Sequence, residues 1–363
     1  MPQIPNPETL TLAREIRGIT QTDLARVSGI DQGRISRYEG GVKTIPEDEL
    51  KILAKALAFP TTFFYRDGKR YGAETGEIFH RKRDNVSIIQ QKVIDGLLNA
   101  RRLEIEDLLN SFDIEAPYTI PRYDIRDFSN YEEPIDQIAT LVRAAWNMSS
   151  GPVNNLIEQL EAASCMVFSY DFGTDKIDEA IQWIEPSPPV VLVNSRAPGD
   201  RLRFSLAHAL GHLVMHRNNP PYPAMEPEAD LFASAFLMPA EDIRPELRPV
   251  TIDHMLQLKP YWKVSMQALI HRCRDIGEIS DRKYTSLFQM LSRAGYRKNE
   301  PITISSEKPT LVRNLLNNYK NELDYSNEEL AALVRLNVED FRNWYYPEPS
   351  HIKILKKPKS LTG

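Results

Sequence analysis

The chain runs to 363 residues, 42% of them hydrophobic and 26% charged, more than one small domain needs and sufficient for two or three with proper cores. Its formal net charge of -5 excludes a strong overall pull toward nucleic acid but leaves room for a local basic surface. The two cysteines, Cys165 and Cys273, have neither metal-ligand nor redox spacing, the N-terminus lacks a signal-like apolar run, and no stretch approaches ~18 apolar residues; a soluble cytoplasmic protein with no membrane partner is expected.

From Leu10 to Phe64, short apolar-periodic segments alternate with punctuation at Gly18, Gly29, Gly40, Gly41 and Pro60, the rhythm of a bundle of short helices. Thr20 is placed to cap a helix running through Val27, with Asp23 completing the cap and Leu24 and Ala25 facing inward. Gly29 ends that helix and makes a turn. Asp31 caps the next, Gln32 to Glu39, which turns Ile35 and Tyr38 inward and closes at Gly40. Two short helices joined this tightly form a helix-turn-helix. Glutamine can pair with adenine and arginine with guanine in the major groove, so Gln21, Gln32, Arg34 and Arg37 are the candidate DNA contacts. Residues 1–70 carry eleven Lys and Arg against nine Asp and Glu, so an ordinary solvated face stays open as the alternative.

The runs Thr20-Gln-Thr-Asp-Leu-Ala, Ser28-Gly-Ile and Ile35-Ser-Arg-Tyr-Glu-Gly-Gly closely resemble the phage-repressor-like XRE family over about residues 8–65. The resemblance implies a five-helix domain that binds palindromic operator DNA as a homodimer, with helix 32–39 in the major groove. Pro46 then opens a further helix whose first turn, Glu47-Asp48-Glu49, suits the macrodipole.

Residues 66–85 are charged and turn-rich and include His80-Arg81-Lys82-Arg83. They read as a linker or domain seam whose basic run is solvated, with DNA phosphates as a second use. Val86 to Phe112 has near-helical apolar spacing and is expected to be one long or broken helix that joins two domains or pairs with a second subunit. Helical patterns at 135–147 and 152–164 precede strands at Met166 to Phe172 and Val190 to Asn194, with Ala180 to Glu185 as a third between them. A small sheet beside a metal-binding helix is the layout of zinc peptidases, in which an edge strand pairs with the extended substrate.

That helix is expected over Arg201 to His216, with histidines at 208, 212 and 216. His208 and His212 fall on one helical face and can share a metal ion. His216 lies about 12 Å along the axis from His208, too far for the same zinc, and reads as a helix-end or supporting residue. Glu226-Pro-Glu-Ala-Asp230 opens a downstream helix on which Glu226 and Asp230 share a face. Glu226 is the economical third ligand, Asp230 the acceptor that orients a ligand histidine, and Glu228 the fallback ligand.

Arg201 through His216, followed by Glu226-x-Glu-Ala-Asp-x-Phe-Ala-x-x-Phe-Leu-Met-Pro239, resembles the ImmA/IrrE family of zinc metallopeptidases. Supporting matches at Gly151-Pro-Val, the Val190 strand and Gly295 to Pro301 extend the resemblance over about residues 130–302. It implies a minimal gluzincin-like domain that needs zinc and cleaves a protein, with XRE-type repressors as known substrates in the family. One position departs. Where His-Glu-x-x-His has its general base, this chain has Ala209, and a methyl group cannot take the proton of the attacking water. An introduced inactivating change and a natural pseudoenzyme are the two origins open, and the intact ligand set favours the first.

Ser265 and Ser280 cap two further helices, and residues 303–363 echo a second helix-turn-helix without a polar recognition set, a packing or dimerisation element in expectation. The expected fold is α+β and mostly helical. Residues 1–70 form the XRE-type domain, 71–129 a linker and long helix, 130–302 the metallopeptidase domain and 303–363 a small helical unit. The expected function is a zinc metallopeptidase fused to a DNA-binding domain, inactivated at Ala209, that regulates transcription or a stress, phage or defence response. The alternative is an inactive XRE-type regulator whose peptidase-like domain senses a ligand or metal.

Overall fold

Asn6 accepts a hydrogen bond from the Glu8 amide and opens α1 (Pro7–Ile16), and the Thr20–Asp23 capping box opens α2 (Gln21–Ser28). Gly29, at φ 72, ends α2 in the left-handed conformation that glycine takes without steric cost. Asp31 then caps α3 (Gln32–Glu39). The bundle is completed by α4 (Glu47–Leu57) and, as its fifth helical piece, a 3-10 turn at Thr61–Tyr65. The computed structural model describes residues 4–72, 78–82, 86–217 and 219–346; Arg83 of the basic run and residues 347–363 of the C-terminal unit lie outside them.

Beyond the bundle come β1 (Ile78–Lys82) and α5 (Ile88–Leu108), then α6 (Pro134–Ala145) and α7 (Leu156–Ala162). The strands β2 (Met166–Tyr170), β3 (Ile177–Gln182) and β4 (Val190–Asn194) follow. The sheet order is β1-β3-β4-β2, with β2 and β4 parallel and both pairings of β3 antiparallel. All five residues of β4 are buried, because alternate side chains enter two different cores. Val191 and Val193 face the helices that carry the histidines. Val190 and Leu192 face a second core shared with the N-terminal bundle, α5 and the C-terminal unit. The sheet is thus a partition, and the N-terminal bundle rests on its far side from the histidines.

Three expectations change. The third strand lies at Ile177–Gln182 rather than 180–185, because Asp178 and Glu179, polar in sequence, are buried at 2% and 1% exposure. The helix α5 buries Ile94, Leu97, Leu98, Ile105 and Leu108 within its own chain, against α1 and the sheet, which leaves this stripe unavailable to a second subunit. Ile78 to Lys82 is a strand of the sheet and not part of a linker: His80 of the basic run is buried, with Nε2 2.5 Å from Asp95 of α5.

The histidine helix α8 (Gly199–Gly211) continues into a π-helical turn, His212–His216, and meets α9 (Met225–Leu237). Short α10 (Ala240–Ile243), α11 (Ile252–Trp262), α12 (Met266–Asp275) and α13 (Asp281–Arg293) complete that core, the last two capped by Ser265 and Ser280. The C-terminal α14 (Leu311–Glu322), α15 (Asn327–Leu333) and α16 (Val338–Tyr345) pack on the other face, burying Leu316, Tyr319, Phe341 and Tyr345 beside α5. Among the described residues no helix is long and apolar enough to cross a membrane.

Candidate metal centre and DNA-binding face

Gly211 lets α8 and α9 close on each other. A Cβ there would stand 3.1 Å from the Phe232 ring and 3.3 Å from the Ala229 Cα, so any larger residue would push α9 outward. The close approach sets Glu226, at the start of α9, opposite the two histidines of α8. His208 Nε2 and His212 Nε2 are 3.0 Å apart, and the Glu226 carboxylate lies 3.4 Å from the first and 3.3 Å from the second. Ligand atoms held tetrahedrally at ~2.1 Å from zinc are about 3.4 Å from one another. The three donors therefore fit a single ion, and they form a group able to hold a metal.

The surrounding hydrogen bonds assign the ring protons. A carboxylate only accepts, so His208 donates from Nδ1 to Asp230 Oδ1 at 3.0 Å, and His216 donates from Nε2 to Glu228 Oε2 at 2.9 Å. Burial and the neighbouring His212 bring the His216 imidazole down to about 4, so it is neutral and its Nδ1 accepts from His212 Nδ1, 3.0 Å away. Both outer nitrogens are thereby committed, and the Nε2 atoms of His208 and His212 are left facing Glu226. Burial opposes charge on His208, but its hydrogen bonds to Asp230 and Glu226 prevail and hold the imidazole up at about 9. Burial likewise works against ionised Glu226, yet the two imidazoles beside it, His208 first, keep it below the usual carboxylate range. A cation between them would replace the proton this cluster retains. His216 and Glu228 are in this way linked to His212 and stand outside the three-donor group.

Two elements near the site were not anticipated. Phe79 of β1 stacks on the His212 ring with centroids 4.5 Å apart. Arg81 donates to Asp230 Oδ1 and to Ser205, each at 3.2 Å, with its guanidinium over the Phe204 ring. Glu179, opposite Arg81 in the sheet, is buried, and burial pushes its carboxyl up to about 7. The alternation of β1 was the available signal, obscured by its charges.

On the bundle, Gln32 and Arg37 are exposed along α3. Gln32 donates to Gln21, which donates to Glu39, at 2.8 and 2.9 Å. Arg34, the fourth candidate contact, is partly exposed and is paired within the bundle. Its guanidinium turns to Glu49 of α4 and to Tyr38, because Glu49 is a buried carboxylate that needs a cation.

Two family models match the chain: the IrrE N-terminal-like domain, a peptidase model, over residues 160–274 and the helix-turn-helix over residues 10–64. The chain fuses an IrrE-type domain to an XRE-type helix-turn-helix. No curated protein matches it significantly. The IrrE-type match contains β2 to β4, the three-donor group and Asp230. The strand β1, though hydrogen-bonded to the IrrE-type sheet, lies between the two matched regions. Ala209 in the IrrE-type helix is 1% exposed, so its methyl packs into the core beside the first histidine.

Proposed function

We propose that this chain is a zinc-metallopeptidase-type regulator of transcription or of a stress, phage or defence response, arrested at proton transfer by Ala209. In this reading His208, His212 and Glu226 hold the zinc. Asp230 orients His208, and Glu228 orients His212 through His216. Zinc, when bound, supplies a Lewis acid to a peptide carbonyl. The observation that carries the reading is the near-tetrahedral spacing of three donor atoms whose remaining nitrogens are all committed outward. Gln21, Gln32 and Arg37 are the DNA contacts of a homodimer on an operator, and Arg34 holds α3 to α4. The protein acted on is a repressor or a similar regulator.

The test is Ala209→Glu. A carboxylate there can take a proton where a methyl cannot, which is worth about 10²- to 10⁴-fold in rate. The zinc-loaded variant is expected to cut at least one member of a panel of XRE-type repressors, and chelation to stop it; no cleavage across the panel counts against the reading. Ala209 itself favours a second one, in which the IrrE-type domain senses a metal or ligand without cutting. That reading expects zinc to shift DNA affinity in the same way whether residue 209 is Ala or Glu.

A further inference from the structure

In the sheet, β3 would be the edge on the histidine side if β1 were not paired to it. Extended peptides bind proteins by adding a strand to such an edge, with backbone hydrogen bonds for affinity and alternate side chains for specificity. The strand β1 does this from within the chain. It runs antiparallel to β3, with Phe79 opposite Ile181 and Arg81 opposite Glu179. Of its two side chains on that face, Phe79 lies flat on a ligand histidine, and Arg81 meets the site through Asp230, sharing one oxygen with His208. The opposite face is pinned to α5 by His80 and Asp95, and α5 packs against α1 of the DNA-binding bundle.

We propose that β1 is a built-in occupant of the peptide-pairing edge of β3, and that the segment it excludes is an extended peptide bearing an aromatic residue two positions before an arginine. The proposal rests on the peptidase reading for the identity of the cleft. The aromatic side chain stacks on His212; the arginine is held by Asp230, Ser205 and the Phe204 ring.

The experiment uses the zinc-loaded full chain and a fluorescein-labelled peptide spanning residues 76–84, read by polarisation. Phe79→Ala with Arg81→Ala removes both anchors of β1 and is expected to tighten peptide binding about tenfold or more; an unchanged Kd overturns the proposal. A Phe79→Cys, Ile181→Cys pair places thiols at directly opposed positions. Once oxidised it should abolish peptide binding and regain it on reduction, and undiminished binding by the oxidised chain overturns the proposal independently of the first variant's folding. A peptide with alanine in place of both the aromatic residue and the arginine should bind the opened chain about tenfold more weakly; equal binding overturns the assigned peptide class. None of these readouts needs catalysis. A peptide that binds the opened chain but is never cut after Ala209→Glu therefore counts against the peptidase reading alone. Cleavage of a repressor at one rate with β1 locked or free counts against the strand alone.

Discussion

His208 donates its Nδ1 proton to Asp230 Oδ1 across 3.0 Å, and this turns Nε2, the atom that would bind a metal, toward the Glu226 carboxylate. Removing such an outer carboxylate typically costs a metal ligand about 10- to 100-fold in affinity. Asp230→Ala is expected to weaken zinc binding by that factor, measured by competition with a chromophoric chelator. Asp230→Asn keeps an acceptor oxygen and should lose less. Unchanged affinity in the alanine variant would mean that the ring is oriented by packing alone.

Glu179 makes the stability of the chain depend on pH with a definite sign. Burial raises its carboxyl from the ordinary 4.5 to about 7. Between those values the unfolded chain has lost the proton and the folded chain keeps it, so stability falls as pH rises. The contribution is complete below 4.5 and gone above about 7, an interval equivalent to about 3 kcal/mol. Glu179→Gln imitates the neutral carboxyl at every pH. It should match the parent near pH 4.5 and exceed it by up to about 3 kcal/mol at pH 8, by urea unfolding with chelator present. Equal stability at both pH values would show that the carboxylate ionises without cost inside the sheet.

The histidine pair was legible because a four-residue spacing places two side chains on one helical face whatever surrounds them. Glu226 and Asp230 were legible for the same reason, and the caps at Thr20, Asp31, Ser265 and Ser280 because each is a local hydrogen bond. What escaped was non-local. Arg81 finds Asp230 149 residues away, and no local pattern announces that partner. His80 and Arg81 therefore read as solvated charge, although Ile78, Phe79, His80 and Arg81 alternate between the two faces of the sheet. Asp178 and Glu179 displaced the third strand for a related reason: polar residues in a strand read as exposed unless the groups around them are known. The pairing of Arg34 with Glu49, fifteen residues on, was equally invisible to the local pattern.

Arg34 and Arg37 should separate into different phenotypes. Arg37 is exposed on α3, with Nε 3.1 Å from the Gly33 carbonyl, and its charge is available to DNA. Arg37→Ala is expected to weaken duplex binding by about 1–3 kcal/mol if it reads a base, or to lower the salt slope by about one if it meets a phosphate. Fluorescence anisotropy across a salt series distinguishes these. Arg34→Ala instead strips the cation from Glu49 and is expected to lower thermal stability first. If Arg34→Ala changed DNA affinity alone, with the melt unaltered, its pairing with Glu49 would be incidental.

The C-terminal unit is held to α5 by Tyr345, whose hydroxyl donates to Glu104 Oε2 at 2.5 Å inside the second core. Glu104 is fully buried, Arg101 lies 2.5 Å from Oε2, and Oε1 has no hydrogen-bond partner among the described residues. Tyr345→Phe leaves the packing almost intact while removing a donor from a buried carboxylate, a loss of about 1–3 kcal/mol. It is expected to lower the unfolding free energy by that amount and to speed amide exchange in α14 to α16 before the rest of the chain. Arg342→Ala breaks an ion pair with Glu328 whose side chains are 57% and 61% exposed, and should cost less than about 1 kcal/mol. Equal effects from the two substitutions would mean that the unit is held by its apolar contacts alone, and that the Tyr345 hydroxyl contributes no more than a surface charge does.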